Sequence, residues 1–337
     1  MGHTIQADRL PDELADGLAR HRTELTGYCY RMLGSAFDAE DAVQETSIRA
    51  WRSFDTWERR ASLRSWLYRI AHNVCLDALK AGNRRARPMD LTSPQSQAAA
   101  MLNERSEVTW LEPAPDGLVL PTSGDPAELA LAKESVRLAF MAALQRLPAK
   151  QRAVLILREV LAWKADEVAA LLETTVASVN SALQRARATL AANPPRATES
   201  VDPLDEEQNR LLARYLTAFE GYDIEALAGL LHEDAVLSMP PYDLWLRGPA
   251  DIAAWHLGQG IGCRGSRLVP TTANGMPAFA QYRPREDGAP GHTAWALQVL
   301  EIVDGRIVGL NAFLDTERWF PLFGLPATLA PGQEVTA

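Results

Sequence analysis

The stretch KADEVAALLETTVASVNSALQRAR, which spans Lys164–Arg187, has the pattern of a helix-turn-helix. Apolar residues recur at helical spacing on both sides of a three-residue turn, and Thr175 stands where it can cap the second helix. Two helices joined in this way pack through their inner faces. The residues expected to face inward are Val168, Ala169 and Leu172 on the first helix and Val176, Val179 and Leu183 on the second.

The remaining residues of the second helix form a polar face that could read DNA. A helix fills the major groove, its short polar side chains can reach base edges, and its arginines can hold phosphates. A plain helical hairpin with a solvated basic face would give the same pattern. The candidate groove-facing residues are Thr175, Ala177, Ser178, Asn180, Ser181, Gln184, Arg185 and Arg187.

Two helical segments flank a proline-rich stretch. From Leu14 to Lys80 there is no proline, and apolar residues such as Val43, Ile48 and Trp51 recur at helical spacing. Six prolines in the next stretch predict mostly irregular structure. Helical spacing then resumes behind Asp125, a possible cap, until Asn193-Pro194-Pro195 ends it. The predicted boundaries are a helical domain over 10–87, a linker over 88–127 and a second helical domain over 128–193.

The C-terminal part, predicted over 204–325, is an α+β domain. Asp304-Gly305 is a strong two-residue hairpin signal between its last two strands. The fold class is therefore multidomain, with two all-α domains followed by an α+β domain. The predicted elements are helices at 206–219 and 224–231 and strands at 235–239, 278–283, 293–303 and 306–314.

Composition and charge narrow the class of protein. At 337 residues the chain should hold two or three domains, and no apolar run is long enough for a membrane span, so we expect a cytoplasmic protein. Its three cysteines are far apart and form no C-x-x-C pair, so neither a disulfide framework nor a metal site is expected. Residues 1–87 carry 14 Lys and Arg against 12 Asp and Glu, and residues 128–197 carry 10 against 6. Residues 88–127 carry 1 against 6, and residues 198–337 carry 9 against 19. The two helical domains, which are mildly basic, are thus the parts suited to phosphate.

Asp41, Gln44 and Glu45 form an acidic-amide cluster that shares one helix face. A basic protein surface could dock there. An ordinary solvated face, stabilised by Arg49 four residues after Glu45, would look the same.

Aromatic and basic residues alternate farther along the first domain, as expected of a site for unpaired DNA. Rings can stack on bases, an asparagine can bond a base edge, and arginines can follow the backbone. Trp66 and Ile70, at i and i+4, could equally belong to the core. The candidates are Trp66, Tyr68, His72, Asn73, Asp77, Lys80, Arg84 and Arg85.

In their order along the chain, these signals resemble bacterial RNA polymerase sigma factors of the extracytoplasmic-function group. The matching stretches are DAEDAVQETSIRAW from Asp38, LRSWLYRIAHNVCLDALK from Leu63, LPAKQRAVLILREV from Leu147, and the helix-turn-helix. The resemblance implies that the first helical domain, sigma region 2, melts and reads the -10 promoter element, and that the second, sigma region 4, reads the -35 element. It also implies that Asp41, Gln44 and Glu45 bind the clamp helices of the β′ subunit of core RNA polymerase, that Asn73 helps to read the -10 strand, and that the loop 55–65 captures a flipped base.

The turn and recognition helix depart from the family pattern. Glu173 stands where glycine is usual in the turn, and Asn180 and Ala182 stand where many relatives have Lys or Arg. These differences leave the -35 sequence open.

The stretch WLEPAPD, Trp110–Asp116, and the third domain resemble a subgroup with a SnoaL-like C-terminal extension. Such cone-shaped folds leave a pocket, and some of their members use Asp or His in acid-base catalysis. Here Asp234, Asp243, His256 and His292 are candidates for that chemistry, but no spacing brings any two together, and fold alone does not establish chemistry. The candidate pocket residues are Tyr215, Phe219, Met239, Trp245, Trp255, His256, Trp295 and Phe313.

We interpret the chain as a promoter-specificity subunit that catalyses nothing itself and needs no cofactor. Its expected partners are core RNA polymerase and promoter DNA, with a possible small-molecule ligand in the third domain, which would be regulatory. Two other classes stay open: an enzyme tethered to DNA by its helical domains, and a repressor that binds DNA without polymerase.

Overall fold

Three long helices occupy the proline-free N-terminal segment, and shorter helices and a mixed sheet follow. The computed structural model describes residues 12–81, 85–96, 102–105, 108–199 and 205–333. The helices, in chain order, are α1 (Asp12–Leu33), α2 (Ala36–Ser53), α3 (Leu63–Ala81), α4 (Asp116–Val119), α5 (Pro126–Glu134), α6 (Leu138–Gln145), α7 (Ala149–Leu155), α8 (Ala165–Leu171), α9 (Val176–Ala192), α10 (Glu206–Glu220), α11 (Ile224–Gly229), α12 (Pro249–Leu257) and α13 (Thr316–Leu322). The strands are β1 (Leu231–Ser238), β2 (Trp245–Arg247), β3 (Arg267–Ala273), β4 (Met276–Pro284), β5 (His292–Val303), β6 (Arg306–Phe313) and β7 (Thr328–Leu329).

The chain divides into two compact units that do not follow sequence order. The first takes in residues up to 84, Gly117–Ala132 and Ala143–Pro194. The second takes in Arg85–Asp116, Lys133–Ala142 and the chain from Pro195 onward. Most of the predicted linker therefore belongs to the same unit as the C-terminal domain.

The first unit is built by the apolar faces of its helices. α1, α2 and α3 pack on one another, and α9 packs on α7 and α8. A buried arginine of α7 contacts the end of α1. Arg152 of α7 donates to the carbonyl of Met32 and, at 2.7 Å, to Oε1 of Gln145. Because the last carbonyls of a helix have no partner within it, Arg152 satisfies the C-terminus of α1 and fixes α7 beside it.

The second unit contains a mixed sheet with the strand order β2-β1-β6-β5-β4-β3, and β7 pairs with one end of β5. β1 runs parallel to β6, and the other pairs are antiparallel. Apolar residues of α10, α11 and α12 form one core with the sheet. β5 lies in the middle of the sheet, and its residues 296–302 are all buried, as expected of a strand covered on both faces.

Several predicted ends of helices and strands are confirmed. α5 begins at Pro126, and Oδ1 of Asp125 accepts from the N–H of Ala127 at 2.9 Å. Asp304 and Gly305 have φ of 49° and 65° and join β5 to β6. The fold class, helical domains followed by an α+β domain, is also confirmed. β2, β3 and β7 were not predicted. Within the described residues, no helix has both the length and the apolar character needed to cross a membrane.

Candidate functional sites

The acidic-amide cluster lies on an open face of α2. Asp41 and Gln44 are exposed, and Glu45 is partly exposed, with its Oε1 2.7 Å from Nε of Arg49. Ile48 and Trp51 continue the same face and are 42% and 40% exposed. We call Asp41, Gln44, Glu45, Ile48 and Trp51 the α2 face. The sequence analysis used both apolar residues only as evidence of helical spacing. In the structure they place apolar area beside polar groups, as many protein interfaces do.

Three α3 candidates for contact with unpaired DNA, and Arg85 beyond the helix, are buried in this structure. Tyr68 is fully buried and packs on Trp163 with ring centroids 5.0 Å apart. His72 is 7% exposed and bonded to Oη of Tyr28. Trp66 is 6% exposed and stacks on Trp57 at 5.3 Å with an angle of 20° between the rings. Tertiary packing, which the alternation of residue types does not show, places these three rings in the core. For Trp66 this agrees with the core alternative that the sequence left open.

Arg85 is the fourth, and it is held by the linker. Its Nη1 donates to the carbonyl of Trp110 at 2.7 Å and lies 3.2 Å from Oε1 of Glu112. Arg318 approaches the same oxygen of Glu112, also at 3.2 Å. Arg85 and Glu112 are both buried, so this guanidinium compensates a buried carboxylate rather than facing DNA. Arg84 lies outside the described residues.

The other α3 candidates are exposed. Asn73 is open to solvent. Asp77 accepts from Nη1 of Arg49 and from Nζ of Lys80, each at 3.2 Å, and the bond from Arg49 is the main cause that lowers the pKa of Asp77. α2 and α3 are thus joined at their surface by this pair of bonds.

Trp163 was not singled out by the sequence analysis, yet it organises the packing of the first unit. Its ring lies against Tyr68 of α3, and the guanidinium of Arg64 sits 5.0 Å from the centroid of the Trp163 ring. Arg64 also makes paired bonds to Glu24 of 3.0 Å each. The available sequence signal was a tryptophan just before α8. Its packing partner, Tyr68, stands about 95 residues earlier in the chain, so the contact could not be predicted from the sequence.

The helix-turn-helix consists of α8 and α9, and its predicted cap is confirmed. Oγ1 of Thr175 accepts from the N–H of Ser178 at 3.1 Å. Glu173, which replaces the usual glycine, has φ of 50°, in the left-handed region that favours glycine. Val176 is 42% exposed, so its predicted inward position is wrong, and Ala182 is buried in its place.

The predicted polar face of α9 lies at the surface. Each of the eight candidates is exposed or half-exposed. Two are held by neighbours: Nη1 of Arg185 donates to Oγ of Ser181 at 2.7 Å, and Nε of Arg187 donates to Oε1 of Glu159 at 2.6 Å. The helix can therefore present short polar groups at its N-terminal end and arginines farther along, an arrangement suited to a groove.

A cavity of about 160 Å³ opens within the C-terminal domain. Trp245 and Phe313, which were predicted to line it, do not. Nε1 of Trp245 donates to the carbonyl of Thr92 in the linker at 3.0 Å, and Phe313 packs against Trp319 elsewhere. These two rings therefore pack outside the cavity, against the linker and α13 respectively. The predicted residues that do line the cavity are Tyr215, Phe219, Met239, Trp255, His256 and Trp295.

The acid-base candidates are not brought together. Of the four, only His256 is among the described residues that line the cavity. Asp234 pairs with Arg247 at 3.1 Å, and Asp243 pairs with Arg105 of the linker at 3.4 Å. Nε2 of His292 lies 3.0 Å from the carbonyl of Gly265. The arrangement offers no pair of groups for proton transfer.

Asn274, at the tip of the hairpin between β3 and β4, fastens the linker to the C-terminal domain. It is fully buried, with φ of 57°. Its Oδ1 accepts from the N–H of Ala114 at 2.9 Å, and its Nδ2 donates to the carbonyl of Val136 at 2.6 Å. The next residue, Gly275, donates its N–H to Asp116 at 2.7 Å. We call these contacts the Asn274 clamp.

Comparison with known proteins gives three family matches: Sigma-70 region 2 over residues 18–85, Sigma-70 region 4 over residues 137–190, and a SnoaL-like domain over residues 212–310. The chain is 45% identical over 312 residues to the ECF RNA polymerase sigma factor SigG of Mycobacterium tuberculosis, covering 92% of this chain and 83% of that protein. It is 30% identical over 302 residues to SigJ of the same organism, covering 86% and 88%. The crystal structure of SigJ shares the fold, with a TM-score of 0.60 and 23% identity over the structural alignment, which covers 93% of this chain and 99% of that one. The chain therefore belongs to the extracytoplasmic-function sigma factors of RNA polymerase.

Proposed function

We propose that this sigma factor directs core RNA polymerase to promoters by docking through the α2 face and reading the -35 element with α9. The observation that carries the proposal is the α2 face, where Ile48 and Trp51 are about two-fifths exposed beside Asp41 and Gln44. Neighbouring exposed apolar residues rimmed by polar groups are typical of protein-interaction sites. The acidic and amide groups beside them suit a basic partner surface.

The charge of the helical domains supports dependence on polymerase. The segments 1–87 and 128–197 have only 2 and 4 more basic than acidic residues. Affinity for duplex DNA grows with the number of phosphates that a protein neutralises. The free chain should accordingly bind promoters weakly, and polymerase supplies the remaining contacts.

In the -10 region, we assign the DNA-facing role to Asn73 and a supporting role to the buried rings. Asn73 is exposed on α3, whereas Tyr68 and His72 pack in the core behind it. The Trp57–Trp66 stack holds the loop 55–65 against the same helix. These contacts support the proposal because they hold the helix that carries the exposed amide in one position, as binding to an unpaired strand requires.

The docking step is tested by Asp41→Ala with Gln44→Ala in run-off transcription with core polymerase. Loss of central interface contacts should reduce promoter-dependent product about tenfold or more and weaken co-elution with core enzyme. The matched control is Asp16→Ala with Arg20→Ala, at exposed positions of α1. Equal product from both double variants would refute docking through the α2 face.

We also propose that the C-terminal domain regulates the sigma factor by holding its linker. The Asn274 clamp ties Ala114 and Asp116 to the sheet, and Trp245 holds Thr92. Asn274→Gly removes the clamping side chain and keeps a residue that accepts positive φ. Asp304→Gly makes the same kind of change in the hairpin between β5 and β6 and is the control. Transcription should change at least about twofold in Asn274→Gly only, whereas identical yields would contradict regulation through the linker.

A further inference from the structure

The cavity of the C-terminal domain has aromatic walls and a polar wall that is largely satisfied by its own bonds. Oη of Tyr215 donates to Oε1 of Gln298 at 2.7 Å, and Nε2 of Gln298 donates to Oε1 of Gln281 at 2.8 Å. Nε2 of Gln281 in turn donates to Oγ of Ser266 at 3.0 Å. This chain of bonds leaves few polar groups to meet a ligand.

Two side chains that line the cavity each have a buried polar atom without a partner among the described residues. These atoms are Nδ1 of His256 and Nε of Arg283. His256 is 5% exposed. A buried polar atom without a partner costs stability, so each of these two atoms needs an explanation.

Arg283 is positioned as an anion anchor. Its Cζ lies over the Trp295 ring, 3.3 Å from the ring centroid, and its Nη2 donates to Sγ of Cys263 at 3.1 Å. Within the described part of the chain, no carboxylate oxygen comes within ion-pair distance of it, and Asp287 is already paired with Arg285. The Arg283 charge therefore faces the cavity without a counter-ion.

His256 complements this cation. Burial, together with the nearby Arg283 charge, holds the pKa of His256 at about 4, so the imidazole is neutral at neutral pH. A neutral imidazole can donate one hydrogen bond. A carboxylate placed between Arg283 and His256 would accept bonds from both.

We propose that this cavity is a binding site for a small aromatic carboxylate, with the carboxylate on Arg283 and His256 and the ring among Tyr215, Phe219 and Trp255. The volume of about 160 Å³ fits a single ring, since a cavity of roughly 150 Å³ in another protein holds benzene. Leu102 of the linker also lines this cavity.

Benzoate is the probe, and the test is calorimetric titration of the full-length free chain, with tryptophan fluorescence as a second signal. Benzoate should bind saturably, and benzamide, which has the same shape without the charge, should bind about tenfold more weakly or worse. Acetate, which lacks the ring, should also bind at least about tenfold more weakly. Failure of benzoate to bind, or equal binding of benzamide, would overturn the assignment.

Three variants locate the site. Arg283→Gln should weaken benzoate binding about tenfold or more, and Arg283→Lys, which keeps the charge, should weaken it less. Arg285→Gln, two residues farther along and paired at the surface, should change affinity less than about twofold. Circular dichroism and thermal unfolding confirm that each variant is folded, and unchanged affinity in a folded Arg283→Gln protein would refute the proposal. The binding assay needs no polymerase, so its failure leaves the promoter-directing function standing, and this inference does not rest on that function.

Discussion

Tyr28 and His72 share a hydrogen bond inside the first unit, with 2.9 Å between Oη and Nδ1. Burial lowers the pKa of His72 from 6.5 to about 4. Between these two pH values the unfolded chain binds a proton that the folded chain excludes. The contribution of His72 to stability is therefore complete above pH 6.5 and is lost as the pH falls toward 4.

This linkage predicts that His72→Gln makes unfolding less sensitive to acid. At pH 5 the wild-type chain should have lost about 2 kcal/mol of stability through His72 relative to pH 7. The variant lacks this loss. Its thermal unfolding midpoint, measured by calorimetry, should therefore fall about 4–8 °C less than that of the wild type between pH 7 and pH 5. His292→Gln, at a half-exposed imidazole in the other unit, serves as the control. A fall in His72→Gln as large as in the wild type would show that this histidine does not carry the effect.

At the scale of the elements, the turn between α8 and α9 combines a good cap with a strained residue. Thr175 caps α9, while Glu173 adopts φ of 50°. A residue with a Cβ in the left-handed conformation costs about 1–2 kcal/mol relative to its preferred regions. Its side chain compensates little, since its nearest ion-pair contact, with Arg69, is long at 3.8 Å and lies at the surface.

Glu173→Gly should therefore stabilise the helix-turn-helix. Glycine removes the backbone strain of the folded state, but it also makes the unfolded chain more flexible. The free energy of unfolding should therefore rise by about 0.5–1 kcal/mol. The control is Ala170→Gly, which places a glycine at an exposed position inside α8. It should lower the free energy of unfolding by about 1 kcal/mol. Denaturant unfolding measures both changes. A loss of stability in Glu173→Gly would mean that the left-handed backbone at this position carries no strain.

The elements whose limits depend on local chemistry could be predicted from the sequence. Asp125 and Thr175 cap helices because their side chains bond the N–H groups two or three residues later, and the Asp304-Gly305 turn depends on two residues that accept positive φ. Tyr68 and Trp245 could not be placed, because their surroundings come from Trp163 and from the linker, far away along the chain. The α2 face was predicted in part: its polar residues were recognised, whereas its apolar ones were assigned to the helical pattern.

At the scale of the whole molecule, the second unit gathers three stretches of chain that are separated in sequence. The linker is acidic and rich in proline, a composition that by itself favours an extended and irregular segment. Its order in this structure comes from the sheet, through the Asn274 clamp and the Glu112 pairs with Arg85 and Arg318. The linker should consequently lose protection when the clamp is removed, although the sheet keeps its own core.

Hydrogen exchange measures that loss at the bond concerned. In Asn274→Gly the N–H of Ala114 loses its acceptor Oδ1, and the Val136 carbonyl loses its donor Nδ2. Each bond contributes about 1 kcal/mol, so amide exchange over residues 108–116 should accelerate about tenfold or more, while the strands of the sheet stay protected. Asp304→Gly should leave these amides unchanged, because its hairpin lies between β5 and β6.

Equal exchange in both variants would show that other contacts hold the linker. Faster exchange in Asn274→Gly with unaltered transcription would show that Asn274 orders the linker but that this ordering does not regulate transcription.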